Sequence, residues 1–536
     1  MGSLQQAKTA PCQQACPAGV NVPQYVRHIR EGRFDEALAV VRERIPFPLV
    51  CGYACFHPCE AKCARKQFDA PVAIRMLKRV AAEQGQAAQV LPAALPASGC
   101  KVAVIGSGPS GLTAAYYLAL QGHQVTVFEA LSRSGGMLRL GIPTYRLPDA
   151  VVDADIRMIE LAGVQIHTGT RIESAEALLG QGFDAVLIAS GAWRSAKLGI
   201  PGEDQTQVID GLSFLSRVNT GLTPRLGEHV VVVGGGNTAI DVARVSRRMG
   251  AQVVQLYRRT QAEMTASAEE IADAMDEGVS IEFLRSPVRI DHCEVTCVQM
   301  ALGPADESGR RRPLPVPASE YTIPASTVIV AIGQQVEIAT TRLAREKSGT
   351  VAVNAETLAT SVEGIFAAGD AVLGPASIIE AITQGRRAAV AIDRFLGGDG
   401  AIDRISAQSR PAALPQTLPR ATPRNLWQTL PLELRLSGFA LVEQSYDLPT
   451  SAHEARRCLS CDLREFDVRV NAIACKDCGY CRQVCGLKVF AQSDQFNANG
   501  YQPAVVAQSE NCNGCLNCLY ICPDFAITVT ARQPQL

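Results

Sequence analysis

Lys101–Glu129 reads KVAVIGSGPSGLTAAYYLALQGHQVTVFE, and the fold follows from it. The continuous apolar run Val102–Ile105 suits a strand buried on both faces. Gly106, Gly108 and Gly111 then supply G-x-G-x-x-G, with Pro109 and Ser110 between the last two. The first glycine allows a tight turn, the second lets backbone approach a pyrophosphate, and the third lets the helix pack on the strand. The helix N-terminus offers partial positive charge to the phosphates. A second strand, Gln124–Phe128, ends at Glu129, an acid placed to accept hydrogen bonds from ribose hydroxyls. Glycines also mark ordinary turns, so the triplet alone decides little. Strand, triplet, helix, strand and acid in this order read as a dinucleotide site.

Outward from this unit, SRSGGMLRLGIPTYRLP follows Glu129. Gly135, Gly136 and Met137 suit a second close approach to the same cofactor, a flavin dinucleotide. Arg146 reads either as a phosphate-neutralising group or as a surface charge. Phe183–Gly191 and Thr327–Gly333 are further buried strands. Between them His229–Val233 leads into Gly234, Gly235, Gly236, Asn237, Thr238 and Ala239, a G-x-G-x-x-A motif opening a helix. The next strand, Gln252–Tyr257, ends in Arg258 and Arg259 where an acid would favour a free ribose hydroxyl. Arginine there pairs a 2′-phosphate, which favours NADP over NAD; the alternative is that both only cap the strand end. Ile365–Asp370 ends another strand, and Gly369 and Asp370 face a flavin ribityl or ribose hydroxyl. A helix is expected from near Pro375, its N-terminus stabilising negative charge on a reduced isoalloxazine. One dinucleotide domain is thus split by the insertion of another: a flavin domain at 100–191 and 331–398, a nicotinamide domain at about 192–330.

Length and composition set the frame. A chain of 536 residues is long enough for three or four domains. Net charge of −1 and 5% aromatic residues give no reason to expect nucleic acid or a charged membrane surface. No signal-peptide-like segment and no apolar run of about 18 residues appears, so a soluble cytoplasmic protein without membrane insertion is expected.

Nineteen cysteines are the anomaly. They cluster at both ends of a long chain, which favours metal ligation over disulfides. Cys12 and Cys16 precede an expected helix over Val22–Arg44. CGYACFHPCEAKC then spaces Cys51, Cys55, Cys59 and Cys63 four apart, suiting iron–sulfur clusters, with zinc the runner-up. A helix over residues 71–88 and an Ala/Pro-rich connector, Ala87–Ser98, close this helical region at residue 98. Cys100, Cys293 and Cys297 read as packing thiols. A proline-rich surface strap spans 399–465 and carries Cys458-x-x-Cys461. In 466–536, Cys475, Cys478, Cys481 and Cys485 follow C-x2-C-x2-C-x3-C, and Cys512, Cys515, Cys518 and Cys522 repeat it. That spacing makes a two-cluster ferredoxin in which the fourth cysteine of each run serves the other cluster. One [4Fe–4S] takes Cys475, Cys478, Cys481 and Cys522; the other takes Cys512, Cys515, Cys518 and Cys485.

The fold class is therefore multidomain: an α-helical Fe–S domain, an α/β core of two Rossmann-like units, and an α+β bacterial-type 2[4Fe–4S] ferredoxin. APCQQACP, CGYACFHPCEAKC, APVAIRMLK, GSGPSGL, GGMLRLGIPTYRLP, GGGNTAID, YRR and GIFAAGDAV make residues 10 to about 400 resemble two known proteins. These are the small subunit of glutamate synthase and the flavin/NADPH half of dihydropyrimidine dehydrogenase. The resemblance implies FAD, NADPH or NADH, and two N-terminal [4Fe–4S] clusters, four in all with the ferredoxin. It assigns one cluster to Cys12, Cys63, Cys458 and Cys461, with RRCLSCD standing for a C-x-x-C that relatives carry at the front. It assigns the other to Cys16, Cys55 and Cys59. Where some relatives have a Gln or Glu as fourth ligand this chain has Lys78, a poor ligand, and Cys51 is the natural substitute. The ferredoxin tail departs from the simplest relatives. About 75 residues separate Gly398 from Cys475, too few for a barrel of roughly 200 or more, so no pyrimidine-binding barrel intervenes.

The expected function is an NAD(P)H:acceptor oxidoreductase moving electrons between nicotinamide, FAD, clusters and a ferredoxin or partner redox protein, in either direction. No residue need act as nucleophile. The alternatives are an input subunit of a hetero-oligomer with a larger catalytic chain, and a non-catalytic electron wire or assembly subunit.

Overall fold

A computed structural model describes residues 9–86, 91–305, 311–337, 342–403, 422–463, 465–512 and 514–532. The first glycine motif lies in a five-stranded parallel sheet. Its order is Ile365–Ala367, Ala185–Ile188, Lys101–Ile105, Gln124–Phe128 and Gln165–His167. Val102, Ala103 and Val104 are buried, as a central parallel strand covered on both faces requires. The motif helix Pro109–Leu120 packs on Ile378–Phe395, where a Cβ on Gly385 would fall 2.3 Å from the Ser110 carbonyl oxygen.

A second parallel sheet runs Val208–Asp210, Thr327–Val330, His229–Val233, Gln252–Tyr257 and Ser280–Phe283. An antiparallel layer, Arg285–Ile290, Glu294–Ala305, Arg311–Pro315 and Tyr321–Pro324, is appended to it in sequence. All of this falls between two strands of the first sheet, Ala185–Ile188 and Ile365–Ala367. The outgoing and returning chains pair antiparallel at Arg194–Ser195 and Gln334–Gln335, a neck of two crossings side by side.

The helix expected over Val22–Arg44 is two helices, Val22–Arg30 and Phe34–Arg42. Gly32 breaks it, at φ +73° in the left-handed region. The helix expected over 71–88 runs Ile74–Gln84. It touches Pro48–Ala54 backbone to backbone, since a Cβ on Gly52 would lie 2.7 Å from Arg79 Cα. Residues 87–90 of the connector lie outside the described residues; further on, Leu95 N–H donates to the Leu120 carbonyl at 2.8 Å. The helix expected near Pro375 begins at Ile378, capped by Ser377 with Glu380 as its reciprocal partner.

The strap is not simply extended. Residues 404–421 lie outside the described residues, but the rest carries helices Leu432–Leu436 and Leu448–Arg456. It is fastened to the N-terminal helices: Arg75 donates to both Glu443 oxygens at 2.7 and 2.8 Å. The C-terminal segment pairs Glu465–Val470 with Ile527–Arg532, and Phe490–Gln492 with Ala504–Val506, around two short helices. Of the three thiols read as packing groups, only Cys297 is buried, and burial pushes it up to about 12. Cys293 is exposed because it precedes the strand that buries Cys297. Among the described residues no helix is long and apolar enough to cross a membrane.

Candidate active site and thiol sets

One cavity of about 1120 Å³ is lined by both glycine motifs. On the first, Gly106 has φ +104° and an added Cβ would lie 2.5 Å from the Ala189 carbonyl oxygen. A Cβ on Gly111 would lie 2.1 Å from the Gly106 carbonyl oxygen, so helix and turn touch. Gly108 faces open space, with nothing within 4 Å of its Cβ position, which leaves backbone bare to the cavity. Gly136 closes over it, its Cβ position 3.2 Å from Gly108 Cα, and Met137 lies in the same wall. The Ser110 hydroxyl is buried at the helix start without a hydrogen-bond partner among the described residues. These features fit a dinucleotide pyrophosphate at the helix N-terminus.

Glu129 is buried, and its carboxylate already accepts from Ser107 N–H (2.9 Å), Ser107 Oγ and Leu131 N–H (2.9 Å). A carboxylate has about four acceptor positions, so capacity for a ribose hydroxyl remains. Asp370 faces the cavity, and burial raises its carboxyl to about 6. Gly369, at φ +70°, lets it turn there; a Cβ would meet Ser110 Cβ at 2.7 Å.

On the second motif, Gly234 has φ +145° and its Cβ position is 2.2 Å from the Ala331 carbonyl oxygen. Gly235 lies against the Tyr257 ring, 2.3 Å from its Cβ position, a contact the spacing did not single out. Asn237 Oδ1 accepts from Ser267 N–H at 3.1 Å, fixing the loop that carries Thr265 into the cavity wall beside Gly236. Thr238 lines the cavity, while Ala239 is buried behind it. Arg258 is exposed at the cavity edge, and Arg259 beside it donates to the Arg311 carbonyl at 2.8 Å.

Arg146 corrects the phosphate expectation. Its guanidinium pairs with Asp241 at 2.7 Å and Glu270 at 3.0 Å, both from the inserted unit. Two carboxylates already neutralise it, so it ties the two sheets' units together across the cavity. Arg244, Arg248 and Glu277 extend this buried network beneath Tyr145. Sequence spacing held no signal for it, because Asp241 lies 95 residues from Arg146.

Ala54 and Phe56 also line the cavity, on either side of Cys55. The cysteines beyond form four sets. Cys12, Cys63, Cys458 and Cys461 ring one small cleft. Cys475, Cys478, Cys481 and Cys522 ring a second; Cys485, Cys512, Cys515 and Cys518 ring a third. Burial works against the charge of the Lys78 ammonium, but together the negative charges of Cys55, Cys51, Cys59 and Cys16 around it outweigh burial and hold its proton more firmly. Among the described residues no disulfide joins these thiols, and no three His, Cys, Asp or Glu side chains converge on one bare ion. Burial and neighbouring thiolates push Cys12 well up, and Cys458 to about 11. Such a set is held ionised by bound metal. The donor chemistry and the central clefts fit polynuclear iron–sulfur clusters. Around Lys78, a cation beside four thiolates would offset the net negative charge of a cluster held there.

The pattern of the pyridine nucleotide-disulphide oxidoreductase family matches residues 100–385. That of dihydropyrimidine dehydrogenase domain II, 4Fe-4S cluster, matches residues 4–90. The chain is 41% identical to the NADP(+)-dependent formate dehydrogenase subunit beta of Moorella thermoacetica, over 84% of this chain and 70% of that one. It is 33% identical to the glutamate synthase [NADPH] small chain of Azospirillum brasilense, over 72% of this chain and 86% of that one. The solved structure of Mycobacterium tuberculosis FprA in complex with NADPH shares the fold of the core, with TM-score 0.50 and 20% identity over 56% of this chain and 85% of that one. The chain belongs to the pyridine nucleotide-disulphide oxidoreductase family and is a flavin and iron–sulfur NAD(P)H oxidoreductase of the glutamate synthase small-chain kind.

Proposed function

We propose that this chain is the electron-transfer subunit that exchanges electrons between NADPH and a partner redox protein through FAD and four [4Fe–4S] clusters. The carrying observation is the single cavity shared by both glycine motifs, with Ala54 and Phe56 bringing the Cys55 thiol set to its wall. FAD held by Gly106–Gly111, Gly136 and Asp370 would accept a hydride and release its electrons singly. The chain's own residues position and exclude: the open Gly108 backbone seats phosphate, Tyr257 packs the second turn, and Arg258 and Arg259 offer charge to a 2′-phosphate. Lys78 supplies a cation to the set Cys16, Cys51, Cys55 and Cys59.

Beyond Cys63, the turn Ala64–Gln67 brings Gln67 to the edge of the Cys485, Cys512, Cys515 and Cys518 cleft. Asn517 Nδ2 donates to the Gln67 carbonyl at 3.3 Å. This junction supports an order of sites: flavin, the Cys55 set, the Cys12 set, then a two-cluster ferredoxin whose far set includes the exposed Cys478. The partition we adopt is 1–98 helical Fe–S, 100–191 with 331–398 flavin, 192–330 nicotinamide, 399–465 strap and 466–536 ferredoxin. Sixteen of the nineteen cysteines ranged in thiol sets suit a reducing, cytoplasmic compartment.

The test is anaerobic mixing of the reconstituted chain with NADPH. Flavin absorbance should bleach and cluster paramagnetic resonance signals should grow; an unbleached flavin refutes the reading in favour of a passive wire. A hetero-oligomer is favoured by the Moorella relative, which is named as a subunit. The partner's class, a ferredoxin or a larger catalytic redox chain, is decided by which one the reduced protein turns over.

A further inference from the structure

His57 stands between the cluster-bearing loop and the inserted nucleotide unit. Its backbone N–H donates to Cys55 Sγ at 3.4 Å. Its ring Nε2 meets Glu269 Oε2 at 3.2 Å, on the first turn of the helix Ala268–Asp276. Its Nδ1 lies 3.8 Å from Glu60, itself fixed by Arg75 N–H at 2.9 Å and Arg424 at 2.7 Å. The backbone of His57 is left-handed, φ 41° and ψ 55°, and Pro58 follows it. Left-handed conformations are uncommon for non-glycine residues, and the residue before a proline is normally extended. Something must hold His57 there, and the ring contacts across to Glu269 and Glu60 do so.

The conformation has a chemical consequence. With Cys55 before it and Cys59 after it both held, a change of φ and ψ at His57 has to be taken up by the 55–57 peptides, and that turns the His57 N–H away from Cys55 Sγ. Hydrogen bonds to ligand sulfur stabilise the more negative, reduced cluster and so raise its potential. Glu269 follows the loop that Asn237 of the second glycine motif pins through Ser267. The nucleotide unit therefore grips the residue whose N–H reaches Cys55 Sγ, the thiol between the cavity-lining Ala54 and Phe56.

We propose that His57 is a positioning residue through which Glu269 of the nicotinamide unit sets the potential of the cluster held by Cys55. This rests on the reading of Cys55 as a cluster ligand. The sign separates it from simple electrostatics. Removing a carboxylate near a cluster raises the potential, whereas losing an N–H to its sulfur lowers it.

The test is a potentiometric titration, followed by paramagnetic resonance, of the full reconstituted chain with iron counted in each variant. Glu269→Ala should lower one cluster's potential at unchanged iron, and Glu269→Gln, which still bonds the ring in either tautomer, should restore it. His57→Gly holds a left-handed backbone without a tether. In that background Glu269→Ala should no longer lower the potential. A raised or unmoved potential in Glu269→Ala overturns the proposal, as does an undiminished drop in the His57→Gly background. Loss of iron from both Glu269 variants also overturns it, in favour of a purely structural contact. Absence of any N-terminal cluster signal in the native chain would instead refute the ligand reading beneath it.

Discussion

Arg27 and Asp462 form a two-pronged ion pair at 2.6 and 2.7 Å, though 435 residues separate them in the chain. Both side chains are nearly buried. The pair adjoins Cys461 and clamps the returning strap onto the helix Val22–Arg30. Next to it Arg457 donates to Asp69 at 2.9 Å and to the Ala70 carbonyl at 2.7 Å, while Arg65 donates to the Arg457 carbonyl at 3.1 Å. This knot, rather than the thiols alone, brings Cys458 and Cys461 to Cys12 and Cys63.

Asp462→Ala leaves Arg27 charged, buried and without its partner, which costs about 3–5 kcal/mol for a broken buried pair. The expected outcome is a lower melting temperature together with loss of iron from one site. Thermal denaturation with parallel iron analysis checks it. Native stability with full iron would show that the clamp is dispensable.

Cys458→Ser should remove a single cluster, so iron falls by about four atoms per chain from about sixteen for four tetranuclear clusters. The signals of the C-terminal pair should persist, because their clefts contain no strap residue. A native iron count in the variant would remove Cys458 from the ligand set.

Replacing Arg258 and Arg259 together by Ala should raise KM for NADPH about tenfold or more and leave that for NADH within about twofold, a difference of about 1.4 kcal/mol or more. Steady-state kinetics with both nucleotides decide it. Equal losses would mean the arginines only support the strand end and the Arg311 contact.

Asp155 gives a dependence on pH with a definite sign. It is buried on the helix Asp149–Leu161 and accepts from Val50 N–H at 2.8 Å and Leu49 N–H at 3.4 Å. Burial outweighs these donors and lifts its carboxyl from the usual 3.8 to about 7. The folded state therefore holds a proton that the unfolded chain has already released. That contribution is complete below about pH 4 and is lost as pH rises through about 7. Asp155→Asn should flatten the fall of stability across this window, read by denaturant titration at several pH values. An unchanged slope would assign the dependence to another group.

Much of the core was legible locally. Val102–Ile105 and His229–Val233 are apolar runs ended by glycines whose positive φ the turns require, so strand, turn and helix are written in neighbouring residues. The exchange of Cys485 and Cys522 between the two C-terminal sets was likewise legible in their spacing. Other readings failed for different reasons. Val22–Arg44 keeps helical periodicity across Gly32, and that periodicity outweighed the glycine, at which the chain in fact turns. Arg146 was read toward phosphate because its two carboxylate partners come from another unit of the chain.

The sequence by itself determined the pieces: two nucleotide-binding turns, one unit inserted in the other, and the cysteine runs. These depend on short-range sterics and periodicity, which neighbouring residues specify. Tertiary structure alone decided the joining of both motifs in one cavity, the position of Ala54 and Phe56 at its wall, the clamp of Asp462 on Arg27, and the contact of Gln67 with Asn517. Each is a meeting of groups far apart in the chain, set by how whole elements pack and bury charge, and no local pattern encodes such a meeting.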